Sequence, residues 1–322
     1  MTDSLAIGVD FGATKIATAL VTYQGEVLAS HTTATSKEQG VDSVLNRIAR
    51  EINRVSEKAE GDVLGIGIGV PGLLRPTEGI LVYSTNLGWN YVNVAEGINA
   101  NLRFKLPIWV QTDTNACILG EYFFGVARGC RDFVYTSIGS GLGGALICNG
   151  QLVTGANNMA GFLGLYSLDP KGRPDPSGLR GNTEAVVSGR GLVTLTRELL
   201  AEGRHSTRMQ DSEELSPESI VQAAREGDEL AHAAFTEMGR CLGEVWTHAV
   251  AVLNPAKIVL GGGIGLAAFD LLVPVARAEL EARLSPVSYA DLEIVPSRLR
   301  SSAVGAACLV FGKAGAQLPR LD

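Results

Sequence analysis

Two stretches of this chain repeat one pattern, and the repetition limits the possible folds more than any other feature. LAIGVDFGATKIATALVTYQGEVLASHTT, residues 5–33, reads as three strands with apolar residues alternating between turns at Gly12 and Gln24-Gly25. DFVYTSIGSGLGGALICNGQLVTGA, residues 132–156, reads the same way: strand, glycine turn, strand, Asn-Gly turn, strand. The spacings from glycine loop to second turn differ by only a couple of residues. Such self-similarity points to an internal duplication, two lobes that each open with a β-meander and carry a glycine loop. A length of 322 residues suits two domains better than one.

The rest of the chain fits that division. VDSVLNRIAREINRVSEK places Val44, Leu45, Ile48, Ile52 and Val55 on one helical face. DVLGIGIGVPG and LPIWVQTDTN read as strands, and ACILGEYFFGVARG as a helix directly after the second. After the repeat the chain turns helical. SGRGLVTLTRELLAEG is one helix, and SPESIVQAAREG is another, with Ser216 as N-cap and Pro217 in its first turn. A longer helix runs through GDELAHAAFTEMGRCLGEVWTHAVAVLN. AKIVLGGGIG is a strand into a glycine loop, FDLLVPVARAELEARL is a helix, and SSAVGAACLVFGKAG is a last one. Strands and helices in two similar halves imply an α/β protein with a cleft between lobes.

Composition removes several function classes. The net charge is −7 and no basic stripe stands ready to neutralise phosphates, so no nucleic-acid partner is expected. The start, MTDSLAIGVDFG, lacks a basic-then-apolar signal, and no window holds 18 uninterrupted apolar residues. A cytoplasmic protein without a membrane partner is the expectation. Five cysteines (Cys117, Cys130, Cys148, Cys241 and Cys308) show no ligand-like spacing and are expected as buried thiols.

Three glycine turns follow strands: DFGATK at 10–15, IGSGLGG at 138–144 and LGGGIG at 260–265. Glycine lets backbone N–H groups approach a phosphate closely, so three such loops at strand ends favour a nucleotide. None matches the P-loop pattern, and Gly139-Gly141-Gly144 leads into a strand and not a helix, against a dinucleotide fold. Asp10 beside the first loop suits Mg²⁺ held through water, or equally an Asp bonded to its own turn. Asp113, between a strand end and a helix start, is either an N-cap or a general base. Phosphoryl transfer needs an acceptor hydroxyl positioned, a carboxylate for its proton, and charge neutralised by a metal. His31, His205, His232 and His248 lie outside these loops, against histidine-based catalysis.

In their order, VDFGATK, GVPG, NLGW, TDTNACILGE, IGSGLGGALICNGQLVTGANNMAGFLG and IVLGGG resemble the ROK family of sugar kinases and related repressors, most of all its ATP-dependent glucokinase branch. The resemblance runs from about residue 6 to residue 312. It implies two ribonuclease-H-like lobes of the actin and hexokinase type around an interlobe cleft. The expected lobes are residues 1–117, with a C-terminal helix at about 302–314 packing back on them, and residues 118–301. It implies a cytoplasmic homodimer that transfers the γ-phosphoryl group of Mg-ATP to a hydroxyl of a hexose or modified sugar. Residue by residue, Asp113 falls on the catalytic base and Asp10 on the metal-side carboxylate. Gly12, Thr14 and Lys15 fall on the first phosphate loop, Gly139, Ser140 and Gly141 on the second, and Gly261 and Gly262 on the adenosine loop. Gly72, Thr112, Phe162, Leu165 and Glu184 fall on sugar-contacting positions. The alternative is a catalytically degenerate sugar- or nucleotide-binding protein of the same type; a DNA-binding repressor is not expected, because the first phosphate loop already begins at residue 10.

The departures from the family pattern are as informative. Thr112 stands where Asn is usual. In GFLGL, residues 161–165, Phe162 and Leu165 replace the Glu and His that hold sugar hydroxyls. The CGCGxxGCxE run that binds a structural zinc reads Asp175, Pro176, Ser177, Gly178, Leu179, Arg180, Gly181, Asn182, Thr183 and Glu184 here. With no thiolate or imidazole left, zinc is not expected and the segment must be held by packing and hydrogen bonds. A hydroxyl facing Phe162 instead of a polar partner loses about 1–3 kcal/mol. A sugar with fewer or differently substituted hydroxyls, or a polyol, is therefore expected.

Overall fold

The computed structural model describes residues 4–175, 178–211, 214–299 and 301–313. In chain order, β1 (Leu5–Phe11), β2 (Lys15–Thr22) and β3 (Val27–Ala34) lead to α1 (Val41–Ser56) and β4 (Val63–Val70). A small meander follows, β5 (Leu73–Arg75), β6 (Ile80–Ser84) and β7 (Trp89–Asn93), then α2 (Val94–Asn99), β8 (Ile108–Thr112) and α3 (Asp113–Phe123). The pattern restarts with β9 (Phe133–Ile138), β10 (Leu142–Cys148) and the two-residue β11 (Gln151–Leu152). Helices α4 (Gly189–Glu202), α5 (Pro217–Arg225) and α6 (Glu229–Leu253) precede β12 (Lys257–Gly261). The chain closes with α7 (Gly263–Ala267), α8 (Phe269–Arg283), β13 (Glu293–Pro296) and α9 (Ser302–Lys313). Residue 314, the last of the expected final helix, lies outside the described residues.

Two compact units result. One comprises Met1–Cys130, Leu152–Ala160 and Arg298–Asp322; the other comprises Arg131–Gln151 and Gly161–Ser297. The expected boundary at residue 117 lies inside α3, and the first unit instead carries that helix whole and continues to Cys130. Each unit has its own five-stranded sheet, in the orders β3-β2-β1-β4-β8 and β11-β10-β9-β12-β13. The two orders match strand for strand, which is the duplication read from the sequence.

In the first unit β1 pairs antiparallel with β2 and parallel with β4, and β4 parallel with β8. Alternate residues of a strand face opposite sides of a sheet. Ile7, Val9 and Phe11 therefore join Val44, Leu45, Ile48, Ile52 and Val55 of α1 in one core. Each fully buried Ile or Leu there contributes roughly 1.5–3 kcal/mol. On the opposite face small residues stand where α9 approaches most closely. Ala6 packs against Ala303, Ala307, Val310 and Phe311 of α9. Where Gly8 stands, a Cβ would fall 1.8 Å from the Ala303 carbonyl oxygen; at Gly67, one would fall 1.9 Å from that of Ala306. Gly305 of α9 would likewise put a Cβ 2.3 Å from the Ala116 carbonyl of α3. Gly8 of β1 and Gly67 of β4 are thus the seat of α9. Buried Glu121 of α3 secures the approach to that helix by accepting from the backbone N–H groups of Arg298 and Leu299, each at 3.2 Å.

In the second unit β9 pairs antiparallel with β10 and parallel with β12, and β12 parallel with β13. Val134, Ile138, Ile258 and Leu260 meet Phe235, Met238, Leu242 and Trp246 of α6 and Leu272 and Leu280 of α8. The buried Trp246 ring donates through Nε1 to Thr136 Oγ1 at 3.1 Å. Ser216 and Pro217 start α5 as expected, with a complete capping box to Ser219. The cysteines differ from expectation. Only Cys308 is buried, and Cys117, Cys130, Cys148 and Cys241 are partly exposed. Among the described residues no helix is long and apolar enough to cross a membrane.

Candidate active-site residues

Strands β1, β4 and β8 run parallel, so their C-terminal ends share one edge of the first sheet, the place where open α/β sheets present ligand-binding loops. The expected residues Asp10, Gly12, Thr14, Lys15, Gly72, Thr112 and Asp113 all stand on or just beyond these ends. By the alternation of β1, Asp10 shares the α9 face with Ala6 and Gly8. There the Ser302 hydroxyl, at the start of α9, donates to Asp10 Oδ2. Asp10 does not bond its own turn, as one reading of the sequence allowed. Its carboxyl is pushed above the usual range by burial, an effect opposed by the Ser302 hydrogen bond and the Lys15 ammonium. The loop itself is tied by the Gly12 N–H to the Lys15 carbonyl at 2.9 Å and by the Thr35 hydroxyl to the Gly12 carbonyl at 2.7 Å. Thr14 and Lys15 are exposed.

The strand-to-helix junction answers the question that Asp113 posed. Thr112, and not Asp113, is the N-cap: its hydroxyl accepts from the Asn115 N–H at 3.2 Å. Thr112 is buried, and its hydroxyl is engaged in that cap. Asp113 becomes the first residue of α3, bonded through Oδ1 to the Thr114 N–H at 2.7 Å. Burial, and next the neighbouring charge of Asp10, push its carboxyl up to about 7. Gly69 makes room for this junction, since a Cβ there would press within 3.2 Å of Asp113 Cα. Gly72 has φ +131°, and a Cβ would fall 2.3 Å from the Tyr83 carbonyl, so no other residue fits without moving β6. Beside this junction the buried Gln111 and Asn158 side chains exchange two amide hydrogen bonds, at 3.0 and 2.8 Å.

The second unit gathers the remaining expected residues. Gly139, Ser140 and Gly141 join β9 to β10, and Gly261 and Gly262 end β12. The two loops touch: a Cβ on Gly262, at φ +81°, would lie 2.3 Å from the Ile138 carbonyl. The N–H of Gly189, at the start of α4, donates to the Gly139 carbonyl at 2.8 Å. Glu184 Oε2 accepts from the Leu142 N–H at 3.0 Å, and Glu184 Oε1 lies 3.3 Å from the Arg190 guanidinium. A Cβ on Gly141 would approach Glu184 Oε2 to 2.7 Å, so a side chain there would displace the Glu184 carboxylate.

Phe162 and Leu165 bracket a single helical turn, Leu163–Leu165, laid on β10, and Leu165 is exposed. Gly164 in that turn sits against Glu184. In the segment 174–182, Pro176 and Ser177 lie outside the described residues. Asp175 and Asn182, at two of the positions where zinc cysteines are usual, are hydrogen-bonded to each other at 2.6 Å. No group of three or more His, Cys, Asp or Glu arranged to hold a metal occurs among the described residues.

Sequence reasoning did not find Ser302, Arg190, the Gln111–Asn158 pair or the Asp175–Asn182 pair. Arg190 carried a readable signal, a cation in the first turn of a helix that follows the second glycine loop. Ser302 meets Asp10 across 292 residues and Gln111 meets Asn158 across 47, separations that no local pattern encodes; Asp175 and Asn182 are seven residues apart, in a loop with no period to read.

The sequence profile of the ROK family matches residues 6–313. The chain is 31% identical to a glucokinase of Thermotoga maritima over 96% of its own length and 98% of that protein. It is 28% identical to a xylose repressor of Caldicellulosiruptor bescii, over 95% of its length and 77% of that protein. A crystal structure of a ROK glucokinase from Streptomyces griseus in complex with glucose and AMPPNP superposes with a TM-score of 0.79 at 27% identity, covering 95% of this chain and 98% of the other.

Proposed function

We propose that this chain, which belongs to the ROK family, is an ATP-dependent sugar kinase that transfers a phosphoryl group to a hydroxyl of a hexose or modified sugar. The observation that carries this reading is the state of Asp113. Thr112 takes the capping role, and burial beside Asp10 raises the Asp113 carboxyl to about 7, where a general base works best at neutral pH. In this reading Asp113 accepts the proton of the attacking sugar hydroxyl. The backbone around Gly12, Thr14 and Lys15 and around Gly139, Ser140 and Gly141 receives the phosphates, and Gly261 and Gly262 receive the adenosine. Asp10 offers the hard oxygen donor that suits Mg²⁺, and the ion would neutralise charge on the phosphates. Gly72, Phe162, Leu165 and Glu184 face the sugar. Zinc has no part: the donors left in the 174–184 segment include a carboxylate and an amide already bonded to each other. The reading extends to a cytoplasmic homodimer with no nucleic-acid or membrane partner, and light scattering of the purified protein tests the dimer.

Two measurements address this reading directly. The first is the pH profile. Below about 7 Asp113 holds a proton and cannot accept another, so kcat/KM is expected to fall about tenfold per pH unit below that point and to level off above it. A profile flat from pH 5 to 8 contradicts the assigned base. The second is a sugar panel. With Phe162 and Leu165 in place of polar groups, a deoxy or substituted hexose, or a polyol, is expected to outperform glucose. In Phe162→Glu combined with Leu165→His, the KM for glucose should drop about tenfold, the equivalent of one regained hydrogen bond. Glucose as the best substrate of the unaltered protein by a wide margin rules out the altered preference.

A further inference from the structure

We propose that Asp175 and Asn182 form a positioning pair that sets Glu184 for its substrate contact. The inference rests on the reading of Glu184 as a sugar-binding residue. Both members of the pair are buried, at 9% and 3% exposure. Asp175 Oδ1 accepts from the Leu179 N–H at 3.0 Å, and Oδ2 accepts from Asn182 Nδ2 at 2.6 Å. The other amide atom, Asn182 Oδ1, accepts from the Ala185 N–H at 3.2 Å. That bond caps the one-turn helix Thr183–Ala185, whose middle residue is Glu184.

A single 3-10 turn has weak internal hydrogen bonds and does not hold its own orientation. Here outside partners hold it. The N–H and hydroxyl of Thr183 both donate to the Tyr166 carbonyl, at 2.8 and 3.0 Å, and the Ser188 hydroxyl donates to the Glu184 carbonyl at 2.7 Å. Asn182 adds the link from this turn to Asp175. Gly181 fixes the register between them: its φ is +65°, and a Cβ would fall 1.4 Å from the Asp169 carbonyl. The Glu184 carboxylate emerges from this frame onto the Leu142 N–H and the Arg190 guanidinium. Donor and acceptor match at each end of the Asp175–Asn182 bond, so a change at one end leaves two donors or two acceptors facing.

The test is a residue exchange. Sugar KM, ATP KM, kcat and melting temperature are measured for the unaltered protein, Asp175→Asn, Asn182→Asp, and the double variant that carries both. In the double variant Asn at 175 still accepts from Leu179 and now donates, while Asp at 182 accepts from both Asn at 175 and Ala185. Each single variant should raise the sugar KM about tenfold, with ATP KM and kcat within threefold, and the double variant should return sugar KM to within threefold of the original. A defect confined to folding would lower the melting temperature without separating sugar KM from ATP KM. Unchanged sugar KM in the single variants, or a double variant as poor as either, overturns the pair while leaving the kinase reading intact. If the unaltered protein phosphorylates no sugar of the panel, the kinase reading fails and the pair's role with it. Should the single variants not fold, the double variant decides alone, by folding with the original sugar KM or failing to.

Discussion

Replacing Asp113 by Asn is expected to lower kcat by a factor of about 10²–10⁴, the range for losing a positioned general base, while a non-hydrolysable ATP analogue binds within threefold of its original affinity. The amide keeps the shape of the side chain and can still accept from the Thr114 N–H. It cannot take the hydroxyl proton. The same substitution has a second, opposite signature. The folded-state carboxyl, at about 7, lies above its ordinary 3.8 because burial and Asp10 disfavour the charge. A native state that binds the proton more tightly than the unfolded chain is most stable when that proton is on. In the metal-free protein, stability should therefore decline as pH rises from about 4 to about 7. The Asn variant should lack this site's share of the decline, and near neutral pH it should melt at or above the temperature of the original. Turnover surviving within tenfold would remove Asp113 from the chemistry, whatever the melting curves show.

Gly8→Val is the second large effect expected, and it acts on stability. The Cβ alone would sit 1.8 Å from the Ala303 carbonyl oxygen and 2.7 Å from the Ala307 nitrogen, both backbone atoms of α9 that no rotamer change can clear. Either β1 or α9 must move. The move would pull Ser302 from Asp10 and open the packing of Ala6, Ala307 and Phe311. A loss of about 4 kcal/mol or more falls in the exceptional class of single substitutions and should lower the melting temperature by about 10 °C. Gly263→Ala is the control: no atom lies within 4 Å of the Cβ it would add, and alanine suits the helix in which it stands. Its stability should stay within about 1 kcal/mol of the original. An intact melting curve for Gly8→Val would mean that α9 does not seat on β1 as described.

The frame of both units was legible because glycine punctuation and strand alternation repeat on a scale the eye can follow. Leu5–Phe11, Lys15–Thr22 and Val27–Ala34 match the reading of residues 5–33 nearly end to end. What was missed has physical reasons. The strands β5–β7 are three to five residues long and are broken by turn formers such as Thr77-Glu78-Gly79, so no period develops. At the head of α3, Thr112 and Asp113 are both good caps, and only the backbone dihedrals decide between them. The four partly exposed thiols follow local packing that composition does not report. In the candidate site, the glycines and acids were readable as residue types. Their partners were not, because Ser302 meets Asp10 across 292 residues, and Asn182 meets Asp175 within an irregular loop whose side-chain pairing no period encodes.

The glycine seat of α9 also bears on how the protein is made. The first sheet emerges from the ribosome early, but the helix that covers one of its faces is translated almost 300 residues after β1. At about 5–20 residues per second, that face stays uncovered for roughly 15–60 s while the second unit is synthesised and can fold. At its centre Ala6, Gly8 and Gly67 present little apolar side chain during the wait, while Val21, Tyr23, Leu64 and Trp109 around them await cover. The small residues leave the slot open for the helix to dock closely at the end, and the larger ones around them gain their cover only then.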